Sequence, residues 1–141
     1  MTTFVRSIAL TGGLLALAGI QNASAQIHNM VEFTTSFPFT VGSATIPAGT
    51  YTIRPDDDSA AILELSGGRV NVFFETSNVS ASGKAPKTEV VFKRYGNTYI
   101  LKDIWLAGSP TGAESVTAEA ERHAKKSQST ESEHRVAARK K

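Results

Sequence analysis

Cysteine is absent from the 141-residue chain. A chain without thiols has no disulfide, no thiolate metal site, no cysteine nucleophile and no lipid-modified N-terminal cysteine. Long apolar runs are also missing beyond the N-terminus, so we expect no transmembrane segment in the mature protein, since a spanning helix needs about 20 apolar residues. Charge of one sign is not in excess either. The 15 basic and 13 acidic side chains nearly balance, which does not indicate a specific nucleic-acid partner.

Histidine is scarce, and its three positions do not favour catalysis. His28 lies close to the expected mature N-terminus, whereas His123 and His134 lie in a charged C-terminal region. A Ser-His-Asp triad requires a histidine held within hydrogen-bond reach of both partners, and zinc sites depend largely on His and Cys. We therefore expect no catalytic triad, no metal site and no cofactor.

The first 25 residues have the composition of a secretory signal peptide. Arg6 supplies the positive n-region, and residues 8–20 form a short, uncharged and largely apolar h-region. Ala23-Ser24-Ala25 then follows as a small-residue cleavage site, which completes the pattern of such signals. We predict export to the periplasm or the medium, with cleavage before Gln26 rather than retention as a membrane anchor.

The mature chain divides into two regions of different composition. Residues 26–112 contain every remaining aromatic residue, whereas in residues 113–141 Val116 and Val136 are the only aliphatic residues larger than alanine. The second region buries too little apolar surface to offset its ordering entropy. We therefore predict an all-β domain over 26–112 and a charged, largely disordered tail over 113–141. Within the tail, residues 113–126 favour a helix with acids first and bases last, which we expect to be frayed and exposed.

Hydrophobic alternation carries the all-β prediction. Val31, Phe33, Thr35 and Phe37 alternate with polar residues, which is the period-2 pattern of a half-buried strand. The pattern returns in the stretches 50–54, 61–65, 69–76, 88–94 and 99–106. With about seven short strands, we expect an antiparallel sandwich or a small, partly closed barrel with a flexible or partly helical C-terminal tail. Little room remains for a ligand lumen, because barrels that hold a ligand usually have about eight longer strands.

Glycine and proline mark the turns between these strands. Gly67-Gly68 and Gly96-Asn97 are signals for two-residue hairpin turns. In Ile46-Pro47-Ala48-Gly49 we predict a type II turn, in which proline presets φ and Gly49 takes a positive φ.

Several turn and core motifs resemble one family. They are Phe37-Pro38-Phe39 with Val41-Gly42, the run IPAGTYTI at 46–53, the run EVVFKRYG at 89–96, and Ile104-Trp105 with Gly108. On these motifs, the stretch 31–112 resembles a family of small, uncharacterised exported bacterial proteins of all-β fold. The resemblance implies a fold, and it carries over no catalytic, cofactor-binding or metal-binding residue.

The last predicted hairpin combines aromatic and charged side chains, and its candidate binding surface consists of Trp105, Tyr99, Tyr95, Asp103 and Lys93. Such aromatic faces stack on sugars or contact protein partners, and the alternative is that they form a second core layer. By alternation Asp103 shares a face with Leu101 and Trp105. A buried aspartate there needs a basic partner, for which Lys93 or Arg94 is expected.

The remaining acidic residues have simpler interpretations. Glycoside hydrolysis needs two carboxylates in one cleft, and by alternation Glu64, Glu75 and Glu89 point away from the main apolar face of their strands. The cluster Asp56-Asp57-Asp58 lacks the alternate spacing of a calcium loop, so we expect a solvated turn.

We expect a non-enzymatic exported β-domain that binds, or forms part of, the cell envelope, with an envelope polymer or protein as its partner. Two alternatives stay open. A hydrolase of envelope polysaccharide would be favoured if Glu89 and Asp103 faced one open cleft beside Trp105. A protein-interaction module that adds a β-strand would be favoured by a long, unbulged edge strand.

The signal-peptide hypothesis predicts the N-terminus of the exported protein. After expression of the full chain in a bacterium, N-terminal sequencing of the exported material should begin at Gln26. Material that retains residues 1–25 would show that the segment is not cleaved. Changing the cleavage site with Ala25→Arg should block processing, since the site requires small residues.

Overall fold

The structure is a computed structural model, which describes residues 29–127 and 130–141. The expected signal peptide, its cleavage site and His28 lie outside the described residues, so the export hypothesis stays a prediction. Among the helices of the described residues, none is long and apolar enough to cross a membrane.

Within the described residues the chain forms ten strands and one helix. In chain order these are β1 (Val31–Thr35), β2 (Phe39–Val41), β3 (Ala44–Ile46), β4 (Gly49–Pro55), β5 (Ile62–Gly67), β6 (Val70–Ser80), β7 (Glu89–Tyr95), β8 (Thr98–Trp105), β9 (Thr111–Ser115), α1 (Ala118–Ser127) and β10 (Glu131–Lys140). The all-β prediction is confirmed.

Eight of the described strands close into an antiparallel barrel. Their order is β8-β7-β10-β1-β4-β5-β6-β9, and β9 returns to β8 through the pairs Asp103↔Glu114 and Ile104↔Ala113. The short strands β2 and β3 lie outside this ring, where β2 pairs in parallel with β8. Of the two expected forms, the sandwich is therefore wrong, and the barrel is present but is closed by eight strands rather than partly closed by about seven. The strand count was too low because the C-terminal strands lack the apolar alternation by which strands were recognised.

Side chains fill the interior of the barrel. The ring of Phe92 lies at its centre, with its centroid 5.2 Å from that of Phe39 and 6.1 Å from that of Phe33. Inward residues alternate along the strands, and the buried members of this core are Val31, Phe33, Phe39, Val41, Ile46, Tyr51, Ile53, Leu63, Leu65, Phe74, Val90, Phe92, Leu101, Ile104 and Ala113. Because side chains fill the interior, we expect a binding site on the outer surface of the barrel.

One of the predicted turns is present in the structure, and another is not. Gly96 has φ 59°, and Tyr95 pairs with Thr98 across the predicted two-residue turn. Gly49 is not among the described glycines with positive φ, so the predicted type II turn is wrong. Gly49 instead allows the close approach of Tyr51, because a Cβ atom there would lie 3.3 Å from the tyrosine hydroxyl. That hydroxyl donates a hydrogen bond of 2.6 Å to the carbonyl oxygen of Pro47.

The C-terminal region differs from the expected disordered tail. β10 is inserted between β7 and β1, pairing with β7 from Glu131 to Ala137 and with β1 from Ala138 to Lys140. The folded part of the chain therefore continues well beyond Gly112.

Backbone pairing and opposite charges hold β10 in place. Most of its side chains are exposed, and Val136 and Ala138 are its partly buried apolar residues that pack against the core. Its charged residues meet partners on other strands, in the ion pairs Arg139–Glu32, Lys141–Glu32, Arg135–Glu89, Glu133–Lys102 and Glu131–Lys93. Apolar periodicity does not reveal such a strand, because the strand is held by ion pairs with residues that lie far away in the sequence.

The helix α1 is docked on the outside of the barrel rather than frayed and exposed. Ala124 is 5% exposed and packs with Tyr95 and Ile100. The ammonium of Lys93 lies 3.2 Å from Oε1 of Glu121 on the helix. The expected order of charges is present, with acidic residues in the first turn and basic residues in the last. Charges in this order interact favourably with the helix dipole.

Removal of β10 should destabilise the protein. A chain truncated after residue 130 leaves β1 and β7 without their shared partner, so its free energy of unfolding should fall by more than about 2 kcal/mol, or the chain should not fold. Urea denaturation followed by circular dichroism measures the change. Lys140→Gln is the control, because it alters one exposed side chain of the same strand. A truncated chain as stable as the full one would contradict the placement of β10.

Candidate functional site

A cleft of about 320 Å³ lies on the outside of the barrel, between the loop 81–86 and the strands below it. We call it the Trp105 cleft. The side chains that line it from the strands are those of Glu89, Asp103, Trp105 and Arg135. Its volume is at the lower end of the range of about 300–1,000 Å³ for small-molecule sites, which suits a group of the size of a single sugar ring.

Cross-strand pairing places these four side chains on one face. Asp103 of β8 is paired with Val91 of β7, which is paired with Arg135 of β10. Two residues farther along β8, Trp105 is paired with Glu89 of β7. Glu89 and Asp103 therefore occupy diagonal positions on adjacent strands, which are generally about 7–8 Å apart.

The loop above the cleft is fastened by backbone hydrogen bonds to the segment that follows β8. The amide of Ala81 donates to the carbonyl oxygen of Pro110 at 2.9 Å, and that of Ala85 donates to Ser109 at 2.8 Å. The amide of Gly108 donates back to Ala85 at 2.8 Å. Because these bonds hold both sides of the loop, the cleft is formed before any ligand arrives.

Gly112 gives Trp105 its place at the wall of the cleft. A Cβ atom on Gly112 would lie 2.8 Å from the indole ring and 2.7 Å from the carbonyl oxygen of Ile104. Only glycine allows β9 to pass this close to the ring. Trp105 is half-buried, with part of its ring available to a ligand.

Glu89 is buried and is paired with Arg135. Its side chain is 6% exposed, and its Oε1 accepts a hydrogen bond from Nη1 of Arg135 at 2.5 Å. This hydrogen bond raises the pKa of Arg135. The second oxygen, Oε2, is buried without a hydrogen-bond partner among the described residues. The nearest described ammonium is that of Lys87, which is 3.7 Å from this oxygen and belongs to a side chain that is 63% exposed.

Asp103 is buried without a matching donor. Its residue exposure is 6%, and Oδ1 has no hydrogen-bond partner among the described residues. Oδ2 lies 3.9 Å from the ammonium of Lys102, which is beyond hydrogen-bond distance. Burial raises the pKa of Asp103 from 3.8 to about 6, Lys102 acts against this rise, and Glu114 adds to it. The expected ion pair of Asp103 with Lys93 or Arg94 is wrong, and its nearest described cation is Lys102.

The structure separates the five predicted surface residues. Asp103 and Trp105 lie together in the cleft. Tyr95 is 1% exposed beneath α1, and Lys93 is paired with Glu121 and Glu131 beside that helix. Tyr99 lies outside the cleft, where its ring stacks on that of Phe37 with centroids 3.9 Å apart. The single surface expected around the last hairpin is therefore divided among three places.

A register shift explains part of this difference. Val91 pairs with Asp103 and Phe92 pairs with Leu101, which leaves Lys102 as an extra residue in β8. The shift reverses the alternation, so that Leu101 enters the core with Ile104 while Asp103 faces the cleft. Strict alternation predicts that Leu101 and Asp103 share a face. The extra residue in β8 places them on opposite faces instead.

The other candidate acids lie elsewhere. Glu64 is paired with Arg54, and Glu75 is exposed on β6. The amide of Asp58 donates to the side chain of Asp56 at 3.2 Å, as in a solvated turn. No group of three or more potential metal ligands occurs among the residues that the structure describes.

Arg135 is the member of the cleft that sequence reasoning missed. It lies in the region expected to be disordered, and only its pairing with β7 brings it to the cleft. Glu89 was recognised as pointing away from the apolar face, and its ion pair with Arg135 could not be foreseen from alternation.

Comparison with known proteins identifies no relative, since no family model, no curated protein and no solved structure matches the chain. The family resemblance of the turn and core motifs therefore stays a prediction.

The raised pKa of Asp103 predicts a pH-dependent contribution to stability. Since the folded-state pKa of about 6 exceeds 3.8, the folded protein binds this proton more tightly than the unfolded chain. The stabilisation is present at low pH and is lost as the pH rises through about 4 to 6. The free energy of unfolding of the wild type, relative to that of Asp103→Asn, should therefore fall from about pH 4.5 to about pH 7.5.

Urea denaturation of both proteins at the two pH values measures this difference, and other titrating groups cancel in the comparison. Asp57→Asn serves as the control because Asp57 is exposed. A difference that does not change with pH would contradict the assigned pKa.

Proposed function

We propose that this protein is an exported, non-enzymatic β-barrel domain that binds a sugar-like ligand of the cell envelope in the Trp105 cleft. The observation that carries the proposal is the arrangement of a half-buried tryptophan beside two buried carboxylates on the outside of a filled barrel. The compartment and the envelope partner rest on the signal-peptide pattern of the sequence.

The chemistry of the cleft matches the two faces of a sugar ring. The C–H face of a pyranose is apolar and packs on an indole ring, while its hydroxyl groups donate hydrogen bonds to acceptors. Trp105 lines the cleft as an aromatic wall, and Glu89 and Asp103 line it as carboxylates that each have one buried oxygen without a donor among the described residues. Small-molecule sites commonly combine an apolar wall with a few such polar groups.

Binding without catalysis is favoured by the state of Glu89. Its Oε1 is held by Arg135, which also contacts Glu133 at 3.1 Å. Because Oε1 already accepts a hydrogen bond from Arg135, this oxygen is not free to attack a sugar carbon or to activate a water molecule.

Glycoside hydrolysis is the second candidate, and one observation favours it. Glu89 and Asp103 do face one cleft beside Trp105. With a pKa raised to about 6, Asp103 is suited to act as a general acid, while Glu89 lies beside Arg135. The diagonal positions of Glu89 and Asp103 on adjacent strands place both carboxylates on one face of the cleft, which is the arrangement that glycoside hydrolysis requires.

Strand addition finds less support. The described sheet ends at β3, which has three residues, Ala44–Ile46. So short an edge gives an added strand few backbone hydrogen bonds.

Trp105 supplies its own assay for binding. It is the one tryptophan of the chain, so its fluorescence reports on the cleft directly. Titration with monosaccharides and soluble envelope glycan fragments should produce a saturable change in emission. By calorimetry, Trp105→Ala should weaken binding about tenfold, which corresponds to about 1.4 kcal/mol.

Phe73→Ala is the matched control, because Phe73 is 57% exposed on β6 and does not line the cleft. Equal loss in both variants, or no binding by the wild type, would contradict the proposal. Mass spectrometry of the same samples decides between the two candidates: intact ligand agrees with a binding domain. If the wild type cleaves the ligand and Asp103→Asn does not, the protein is a hydrolase.

A further inference from the structure

We propose that the ligand of the Trp105 cleft carries a protonated amine, so that the site selects an amino sugar over a neutral sugar. This inference rests on the proposed function and narrows its ligand. It derives from two buried carboxylates that line the cleft, Glu89 and Asp103, each of which has one oxygen without a hydrogen-bond donor among the described residues.

A buried acceptor without a donor is costly. A group left in this state destabilises the folded protein, and it does so more strongly when it is charged. Here the two acceptors are Oε2 of Glu89 and Oδ1 of Asp103, on residues that are 4% and 6% exposed. A ligand that donates to either oxygen would lower this cost, and two carboxylates favour a positively charged donor over a neutral one.

The neighbouring cations do not already provide that donor. Lys84 also lines the cleft and donates to neither of the two oxygens. Arg135 is engaged with Oε1 of Glu89 and with Glu133. Lys102 contacts Glu133 at 3.2 Å and approaches Asp103 only to 3.9 Å. Lys87 stays 3.7 Å from Glu89 on a largely exposed side chain, which a bound ligand can displace at little cost.

The geometry of an amino sugar fits the remaining features. An ammonium has three donors on one small centre, so it can donate to a carboxylate of the cleft and to a neighbouring acceptor at the same time. The indole of Trp105, which lines the same cleft, attracts a cation through its ring face and packs against the apolar face of the ring that carries the amine.

Three ligands that differ at one position test the proposal. D-glucosamine, N-acetyl-D-glucosamine and D-glucose have the same ring, and of the three only glucosamine carries a charged amine. At neutral pH, titration of the full mature chain by Trp105 fluorescence and calorimetry should give at least about tenfold tighter binding of glucosamine, the factor for about 1.4 kcal/mol.

Variants connect the preference to the two carboxylates. Asp103→Asn retains Trp105 and has nearly the same shape, so it should remove most of the preference for glucosamine while glucose binding changes little. Glu89→Gln should have the same effect, provided that urea denaturation shows a folded protein. Lys87→Gln is the control: it removes a competing cation and should leave glucosamine binding unchanged or tighter.

The possible results separate this inference from the proposed function. Preferential binding of glucosamine that depends on Asp103 supports both. Equal binding of glucosamine and glucose overturns the amine inference and leaves the sugar-binding proposal intact. The same holds for a preference that survives in Asp103→Asn. If none of the three ligands binds, both the inference and the proposed function are overturned.

Discussion

The barrel depends on the insertion of β10 between β7 and β1. This strand has few apolar residues, yet it provides backbone partners to two strands whose inward residues build the core. Its charges are opposite in sign to those they meet on neighbouring parts of the sheet: Glu131 and Glu133 meet lysines, and Arg135 and Arg139 meet glutamates. Exposed pairs of this kind contribute little individually, so their main effect is to set the register of a strand that lacks a hydrophobic pattern.

The same strand completes the candidate site. Arg135 reaches the cleft because β10 lies beside β7, and it donates a hydrogen bond to a buried carboxylate whose other cation, Lys87, lies 3.7 Å away. The packed interior and the small size of the barrel leave the outer surface as the place for recognition, and the loop 81–86 converts part of that surface into a cleft. Closure of the barrel and assembly of the site are therefore two results of one strand pairing.

Much of the fold was accessible from alternation and turn chemistry. The inward set that contains Phe33, Tyr51 and Phe92 follows from period-2 patterns, and the turn at Gly96-Asn97 is where its residues predicted it. The site was accessible only in part. Trp105 and Asp103 were recognised as candidates, but the extra residue Lys102 in β8 changes which neighbours share their face. A bulge depends on the pairing of two strands, and one strand read by itself does not reveal it.

The sequence by itself determined the all-β class, the absence of thiol chemistry and most of the core. These properties follow from composition and from periodicity over a few residues, which are local. Only the tertiary structure decided that the barrel closes, that the charged C-terminal region belongs to it, and that Glu89, Asp103, Trp105 and Arg135 meet in one cleft. These properties depend on contacts between distant residues, such as Glu32 and Arg139, which are 107 positions apart. Opposite charges are common along the whole chain, and nothing local specifies which of them pair.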